Sequence, residues 1–299
     1  MSVLIIKRGA AGDVVRTTPL LRRLDGPVTW ITAKKNLALL EGIDREVCCV
    51  SWENRRCVAD VTYDLVINLE DDLETSSFLK ELRFKQLFGA YLSRDDQLAY
   101  TSDSRSWFDL SLISAYGRNE ADRLKLLNRR TYQELIFEGL CFGFNGETYY
   151  LPPSQPTGLK GDVAISVTAG PVWPMKMWAY YDELKNELES EGLKVNILQD
   201  RPTVLEHLAD AKGHRCLVSG DSLPMHLALG SGLRCVSIFT CTSPWEIYGY
   251  GLQEKIVSPF LENFFYKRGY NRNATTAISV KRVMDAVIAQ LGALVVRVC

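Results

Sequence analysis

No Cys-x-x-Cys pair, no Gly-x-Gly-x-x-Gly run and no Asp-x-Asp occur in this sequence. The first absence, with several cysteines lying in apolar strand-like runs, argues against a zinc site or a disulfide framework. The second removes the dinucleotide fingerprint, because Gly9 and Gly12 after the first apolar run have the wrong spacing. Charge of one sign is missing too. The formal net charge is -1, so nothing suggests a global field for nucleic acid or for a membrane surface. No stretch approaches the roughly 18 apolar residues of a membrane span. The opening apolar run is short and is interrupted by Lys7 and Arg8, so it does not read as a signal peptide.

What remains is an ordinary globular composition, 46% hydrophobic and 24% charged. A length of 299 residues is enough for two medium domains. Cys48, Cys49, Cys57, Cys141, Cys216, Cys235, Cys241 and Cys299 read as buried, reduced thiols of a cytoplasmic protein. Lys267-Arg268 and Arg129-Arg130 read as solvated surface. The apolar tail Leu294–Cys299 reads as a packed end rather than an anchor.

The pattern alternates strands and helices. In the first half, strands are predicted at Val3–Lys7, Val28–Thr32 and Leu65–Asn68, with helices near Lys34–Leu40, Ser76–Phe88 and Asn128–Leu140. Asp95 to Asp122 fits neither period and reads as a long functional loop with a short helix. Leu151–Gly158, with three prolines and a glycine, is the best linker in the chain. After it come strand Asp162–Val167, helix Trp178–Glu191, strand Lys194–Leu198, helix Val204–Ala211, strand Arg215–Ser219, helix Leu223–Leu229, strand Arg234–Phe239 and a last helix near Val280–Leu291. This rhythm predicts parallel sheets covered on both faces. The expectation is an α/β protein of two doubly wound Rossmann-like domains, 1–152 and 153–299, the second closed by the C-terminal helix.

Two segments carry candidate chemistry. Asp221-Ser222-Leu223-Pro224-Met225-His226 follows a short apolar run and opens a helix. Pro224 suits a first turn, and Asp221 or Ser222 can cap it. The free N–H groups and positive dipole end there form a seat for phosphate. The plain reading is an ordinary strand-cap-helix junction. Near the start, a strand runs through Gly9-Ala10-Ala11-Gly12 to Asp13, and spacing alone makes Asp13 a helix cap.

Together these segments resemble glycosyltransferase family nine, the ADP-heptose:lipopolysaccharide heptosyltransferases and their relatives. Gly12-Asp13 with Thr17-Thr18-Pro19 is similar to the family's first loop, and Asp221-Ser222-x-Pro224-Met225-His226 to its nucleotide-sugar phosphate motif. Gly170-Pro171-Val172-Trp173-Pro174-Met175-Lys176-Met177-Trp178 carries the Lys-x-Trp expected after the first strand of the second domain. Thr242-Ser243-Pro244 followed by Tyr248-Gly249 is a fourth match, and the four occur in family order.

The resemblance implies the type-B glycosyltransferase architecture, two domains facing a cleft, with the motifs just after strands. It implies an inverting transfer of a heptose or similar sugar from a nucleotide diphosphate, first of all ADP-heptose, to a surface-glycan or glycolipid acceptor. Asp13 would be the base, flanked by the acceptor-side loop residues Gly12 and Thr17. Lys176 would meet the departing phosphates rather than being a surface lysine. Thr168, Gly170, Asp221, Ser222, Leu223, Pro224, Met225 and His226 would surround the donor. His226 can reach a phosphate or satisfy a core polar group. Trp178 is expected in the core, while Trp173 and Trp245 are candidates to stack on a base or sugar. No metal or cofactor is expected, and no nucleic-acid partner. Any membrane association would be peripheral.

One departure from the family stands out. Only Gln199-Asp200-Arg201-Pro202 separates a strand from the next helix, where relatives have an additional helix and a ribose-binding glutamate. Asp200 is the possible replacement contact. Three other functions stay open: a nucleotide-sugar epimerase, a non-catalytic nucleotide-sugar binder, and a nicotinamide oxidoreductase, against which the missing glycine fingerprint counts.

Overall fold

The structure, a computed structural model, describes residues 1–170 and 172–292. Pro171 and the predicted packed end Leu294–Cys299 lie outside the described residues. The chain forms two compact units, Met1–Pro152 and Pro153–Cys299, and their boundary falls in the proline-rich segment.

The first unit contains β1 (Val3–Ile6), α1 (Ala11–Thr17), β2 (Val28–Thr32), β3 (Cys48–Ser51), β4 (Thr62–Asn68), α2 (Leu73–Phe78), β5 (Arg83–Leu92), β6 (Leu98–Tyr100), α3 (Arg105–Phe108), α4 (Arg118–Leu127) and α5 (Tyr132–Gly139). Its six-stranded sheet runs β3-β2-β1-β4-β5-β6. All neighbours pair in parallel except β6, which is antiparallel to β5. The four residues of β1 are completely buried, as a central parallel strand requires.

Several expectations for this unit are corrected. The helix predicted over Ser76–Phe88 is α2, a short 3-10 turn (Leu79–Glu81) and then β5. Its apolar residues could serve either period locally. Parallel pairing with β4, Thr62 against Arg83 through Asn68 against Gly89, decides for a strand. Gly89 has φ +113, and a Cβ there would fall 1.8 Å from the Asn68 carbonyl oxygen. The predicted helix at Lys34–Leu40 is a 3-10 segment, Lys34–Leu39. The stretch taken as a long loop holds β6, α3 and the start of α4. The helix predicted from Asn128 starts at Tyr132, because Thr131 and Glu134 form a reciprocal capping box. Edge strand β3 was not predicted.

The second unit contains β7 (Val163–Ser166), α6 (Tyr181–Ser190), β8 (Val195–Ile197), α7 (Val204–Lys212), β9 (Cys216–Gly220), α8 (Leu223–Gly230), β10 (Arg234–Phe239), β11 (Gln253–Val257), α9 (Leu261–Phe264), α10 (Arg272–Thr276) and α11 (Val280–Gly292). Its five-stranded sheet, β11-β10-β9-β7-β8, is parallel throughout. Val163, Ile165, Val218, Val236 and Ile238 pack with Leu184 and Leu188 of α6 and Val283, Val287 and Leu291 of α11. Trp178 joins this core and donates its indole N–H to the Ile278 carbonyl at 2.9 Å. Strand β11 was not predicted.

The cysteines need a correction as well. Cys216, Cys235 and Cys241 are buried, but Cys48, Cys57 and Cys141 are exposed and Cys49 is half-buried. Cys48 and Cys49 lie on the edge strand, which has a neighbour on one side only. Cys299 lies outside the described residues. Among the described residues, no helix is long and apolar enough to cross a membrane.

Candidate active site

Ligands of open parallel sheets bind beyond the C-terminal ends of the strands, where the strand order reverses. In the first unit that point lies between β1 and β4. In the second it lies between β7 and β9. The segments leaving these four strands carry most of the predicted site residues.

Asp13 follows β1, but it does not cap a helix. The N-cap of α1 is Ala10, and Asp13 lies in the first turn. Gly12 and Thr17 are likewise helical, so the predicted acceptor-side loop is mostly the helix α1. The Asp13 carboxylate lies 3.0 Å from the Arg16 guanidinium and 4.0 Å from the Lys7 ammonium. Its side chain is 33% exposed against 11% for Lys7 and 12% for Arg16, so the carboxylate is the accessible member of the group. Burial alone would lower the Lys7 pKa, but Glu70 and then Asp13 outweigh it and hold the ammonium above its ordinary value. The Arg16 guanidinium also lies over the Tyr132 ring, 4.3 Å from its centroid. Thr17 is buried and hydrogen-bonds the Tyr132 hydroxyl at 2.8 Å, so it braces α1 on α5 rather than facing a ligand.

Two backbone N–H groups of the same segment are already committed. The N–H groups of Arg8 and Gly9 donate to the Glu70 carboxylate at 2.8 and 2.9 Å. Their carbonyls accept from the Asn36 side-chain amide at 2.9 and 3.0 Å. A phosphate here would meet a carboxylate where a nucleotide-binding loop offers donors. This counts against the dinucleotide reading of the first unit.

In the second unit, Lys176 ends a 3-10 turn, Pro174–Lys176. The turn is docked on two strand ends. The Thr240 hydroxyl donates to the Met175 carbonyl at 2.5 Å. The Lys176 carbonyl approaches so closely that a Cβ on Gly220 would lie 2.8 Å from it. The Lys176 ammonium lies 2.9 Å from the Asp221 carboxylate and donates to the Asp221 carbonyl at 2.9 Å. An ammonium has three donors, so this pairing leaves one for a ligand. With 17% of its side chain exposed, Lys176 is not a solvated surface lysine. Burial works to raise the Asp221 pKa, but Lys176, followed by His226 and Thr242, brings it down to about 2. Three of the four sequence motifs thus meet at one carboxylate.

Helix α8 begins there. Its N-cap is Ser222, with Pro224 in the first turn, and among the described residues no side chain caps it. Pro224 has no N–H and the Met225 N–H donates to the Ser222 carbonyl at 3.1 Å, so the start of the helix offers a ligand its dipole and the N–H groups of Ser222 and Leu223. Asp221, Ser222 and Leu223 are half-exposed, whereas Pro224, Met225 and His226 are buried. What the helix start offers a ligand is its backbone and its first residues, not the Met225 side chain. Thr168 and Gly170, just past β7, are exposed. Trp173 packs edge-on against Tyr266 with centroids 5.4 Å apart. Trp245 is half-buried.

The short segment after β8 holds Asp200 exposed. Its neighbour Arg201 makes a 2.5 Å ion pair with the fully buried Asp210 carboxylate of α7. Thr203 and Glu206 then start α7 with a second capping box. The loop is thus anchored at its α7 end, and the described residues hold no helix between β8 and α7.

The sequence reading missed Lys7, Arg16 and Glu70. Lys7 lies in a strand run and Arg16 on a helix, where charges ordinarily mean solvent. Only the placement of β1 beside β4 brings Glu70 to Lys7.

No protein-family model and no curated protein matches the sequence. Solved structures do match, and they share this fold of two α/β units built on mainly parallel sheets. A family nine glycosyl transferase from Veillonella parvula superposes with a TM-score of 0.66 at 17% identity, covering 97% of each chain. Heptosyltransferase WaaC of E. coli, solved with ADP, gives 0.64 at 15% identity, covering 97% of this chain and all of WaaC. The E. coli ADP-heptose lipopolysaccharide heptosyltransferase II gives 0.63 at 15% identity, with 97% and 98% covered.

Proposed function

We propose that this chain is an inverting, metal-independent glycosyltransferase of the family nine type, working in the cytoplasm. It would transfer a heptose or similar sugar from a nucleotide diphosphate, first of all ADP-heptose, to a surface-glycan or glycolipid acceptor. The observation that carries the reading is the Lys176–Asp221 pair at the open start of α8. It sets a cation and a helix dipole where a diphosphate would sit. WaaC has been solved with ADP and with ADP-2-deoxy-2-fluoro heptose, which supports a donor of this class.

In this reading the Asp13 carboxylate takes the proton of the acceptor hydroxyl as its oxygen attacks the anomeric carbon. The bond from that carbon to the diphosphate breaks, and configuration inverts. The charge growing on the leaving phosphate meets the third Lys176 donor and the α8 backbone. The direct test is to incubate the protein with a panel of nucleotide sugars and acceptors and measure binding and transfer. Absence of both across the panel would overturn the reading.

Two further outcomes follow from the geometry. Because Lys176 and a helix terminus are assigned the diphosphate charge, transfer should survive EDTA. Loss of activity that magnesium or manganese restores would refute that assignment. The segment Gln199–Pro202 offers few side chains to read a nucleotide, and Arg201 is committed to Asp210. A site with fewer polar partners rejects the wrong base less strongly. Calorimetric titration of ADP, GDP, UDP and CDP should therefore show weak discrimination, with ADP still bound. Asp200 is the proposed ribose contact. Strong preference for one base, undiminished in Asp200→Ala, would show that recognition lies elsewhere.

A further inference from the structure

We propose that Glu70 is a positioning residue for the Asp13 carboxylate, acting through Lys7 and through the backbone that leads into α1. This rests on the reading of Asp13 as the base. One oxygen of Glu70, Oε1, accepts from the Arg8 N–H at 2.8 Å and the Gly9 N–H at 2.9 Å, and lies 3.0 Å from the Lys7 ammonium. Glu70 is itself held, its N–H donating to the Asn68 side-chain oxygen while the Asn68 amide donates to the Ala90 carbonyl. Lys7 also donates to the Leu69 carbonyl at 3.2 Å. The ammonium is thus tied to the end of β4 by two contacts and stands off from Asp13 at 4.0 Å. At that distance it attracts the carboxylate without forming a hydrogen bond to it. A tighter contact would put the ammonium in competition with the acceptor proton for the carboxylate.

Gly9 supports this arrangement. A Cβ there would lie 3.0 Å from the Lys7 ammonium nitrogen and 3.3 Å from Glu70 Oε1. The Lys7–Glu70 pair leaves little space there, so a side chain at this position would make the pair give by a few tenths of an ångström.

The charge on Glu70 can be separated from its bonding. Glutamine keeps an oxygen that accepts from Arg8 and Gly9, so a purely structural brace survives Glu70→Gln. A positioning role does not. Lys7 faces Glu70 and Asp71 after β4, Asp13 on α1 and Tyr132 on α5. Once Glu70 is neutral, the ammonium moves toward Asp13, and burial regains weight against its charged form. Glu70→Gln should lower kcat about 10-fold or more, since misplacement by 1 Å can cost about 100-fold. The donor Kd should stay unchanged. Gly9→Ala, which alters no charge but crowds the same pair, should also lower kcat with the donor Kd unchanged, and it decides the matter if Glu70→Gln does not fold. Wild-type kcat in folded Glu70→Gln, or wild-type kcat in Gly9→Ala, would overturn the inference. Retained turnover in Asp13→Asn would instead remove the base reading, so the two failures are distinct.

Discussion

Asp13→Asn should lower the turnover number by about 10²–10⁴-fold, the usual contribution of a positioned acid or base. The substitution is nearly isosteric and leaves local structure in place. The bond from the Thr17 hydroxyl runs to the Asp13 backbone carbonyl, which asparagine keeps. Lys7 retains Glu70, and Arg16 retains its place over Tyr132. Loss of activity will therefore report loss of the proton acceptor rather than of the fold. Donor affinity, measured by calorimetry, should change little, because the diphosphate is assigned to the other unit's Lys176 and α8. An asparagine variant with near-normal turnover would reduce Asp13 to an ion-pair partner of α1.

Lys176→Ala should weaken binding of the nucleoside diphosphate far more than binding of the bare nucleoside. A hydrogen bond to a charged group is worth about 1.5–3 kcal/mol, which is about 10–150-fold in affinity. The structure adds a second contribution of the same sign. Removing the ammonium leaves the Asp221 carboxylate, 16% exposed, without its closest counter-charge and facing the incoming phosphates. Asp221→Asn made on top of Lys176→Ala should therefore recover part of the lost diphosphate affinity. Equal weakening of both ligands, or of neither, would mean that Lys176 only holds Asp221 and its loop together.

Local sequence made some features legible and left others open. Apolar runs in the predicted strands Val3–Lys7 and Arg215–Ser219 read as buried parallel strands because they are short and alternate with helical segments. Small residues, Asp13, Lys176 and Asp221 after such runs marked the ligand edge of each sheet, since that edge follows from strand direction alone. The start of α5 was missed although Thr131 and Glu134 were visible as a capping pair, because the apolar period was extended past them to Asn128. The segment Arg83–Leu92 was misread for a different reason. Its residues suit a helix or a strand, and the choice belongs to β4, which pairs with it along its length.

By itself the sequence determined the alternation of strands and helices, the break at the proline-rich linker and the positions of the four motifs. These depend on periodicity, caps and turn residues that act within a few positions. The tertiary structure alone decided the strand orders, and with them the two reversal points at β1–β4 and β7–β9. It also decided what surrounds each candidate group: Lys7, Arg16 and Glu70 about Asp13, and Asp221 against a lysine 45 residues earlier. Such pairs form because neighbouring parallel strands deliver their C-terminal ends to one place. No local pattern records which strands will be neighbours, since that is settled by how the apolar faces of whole elements pack.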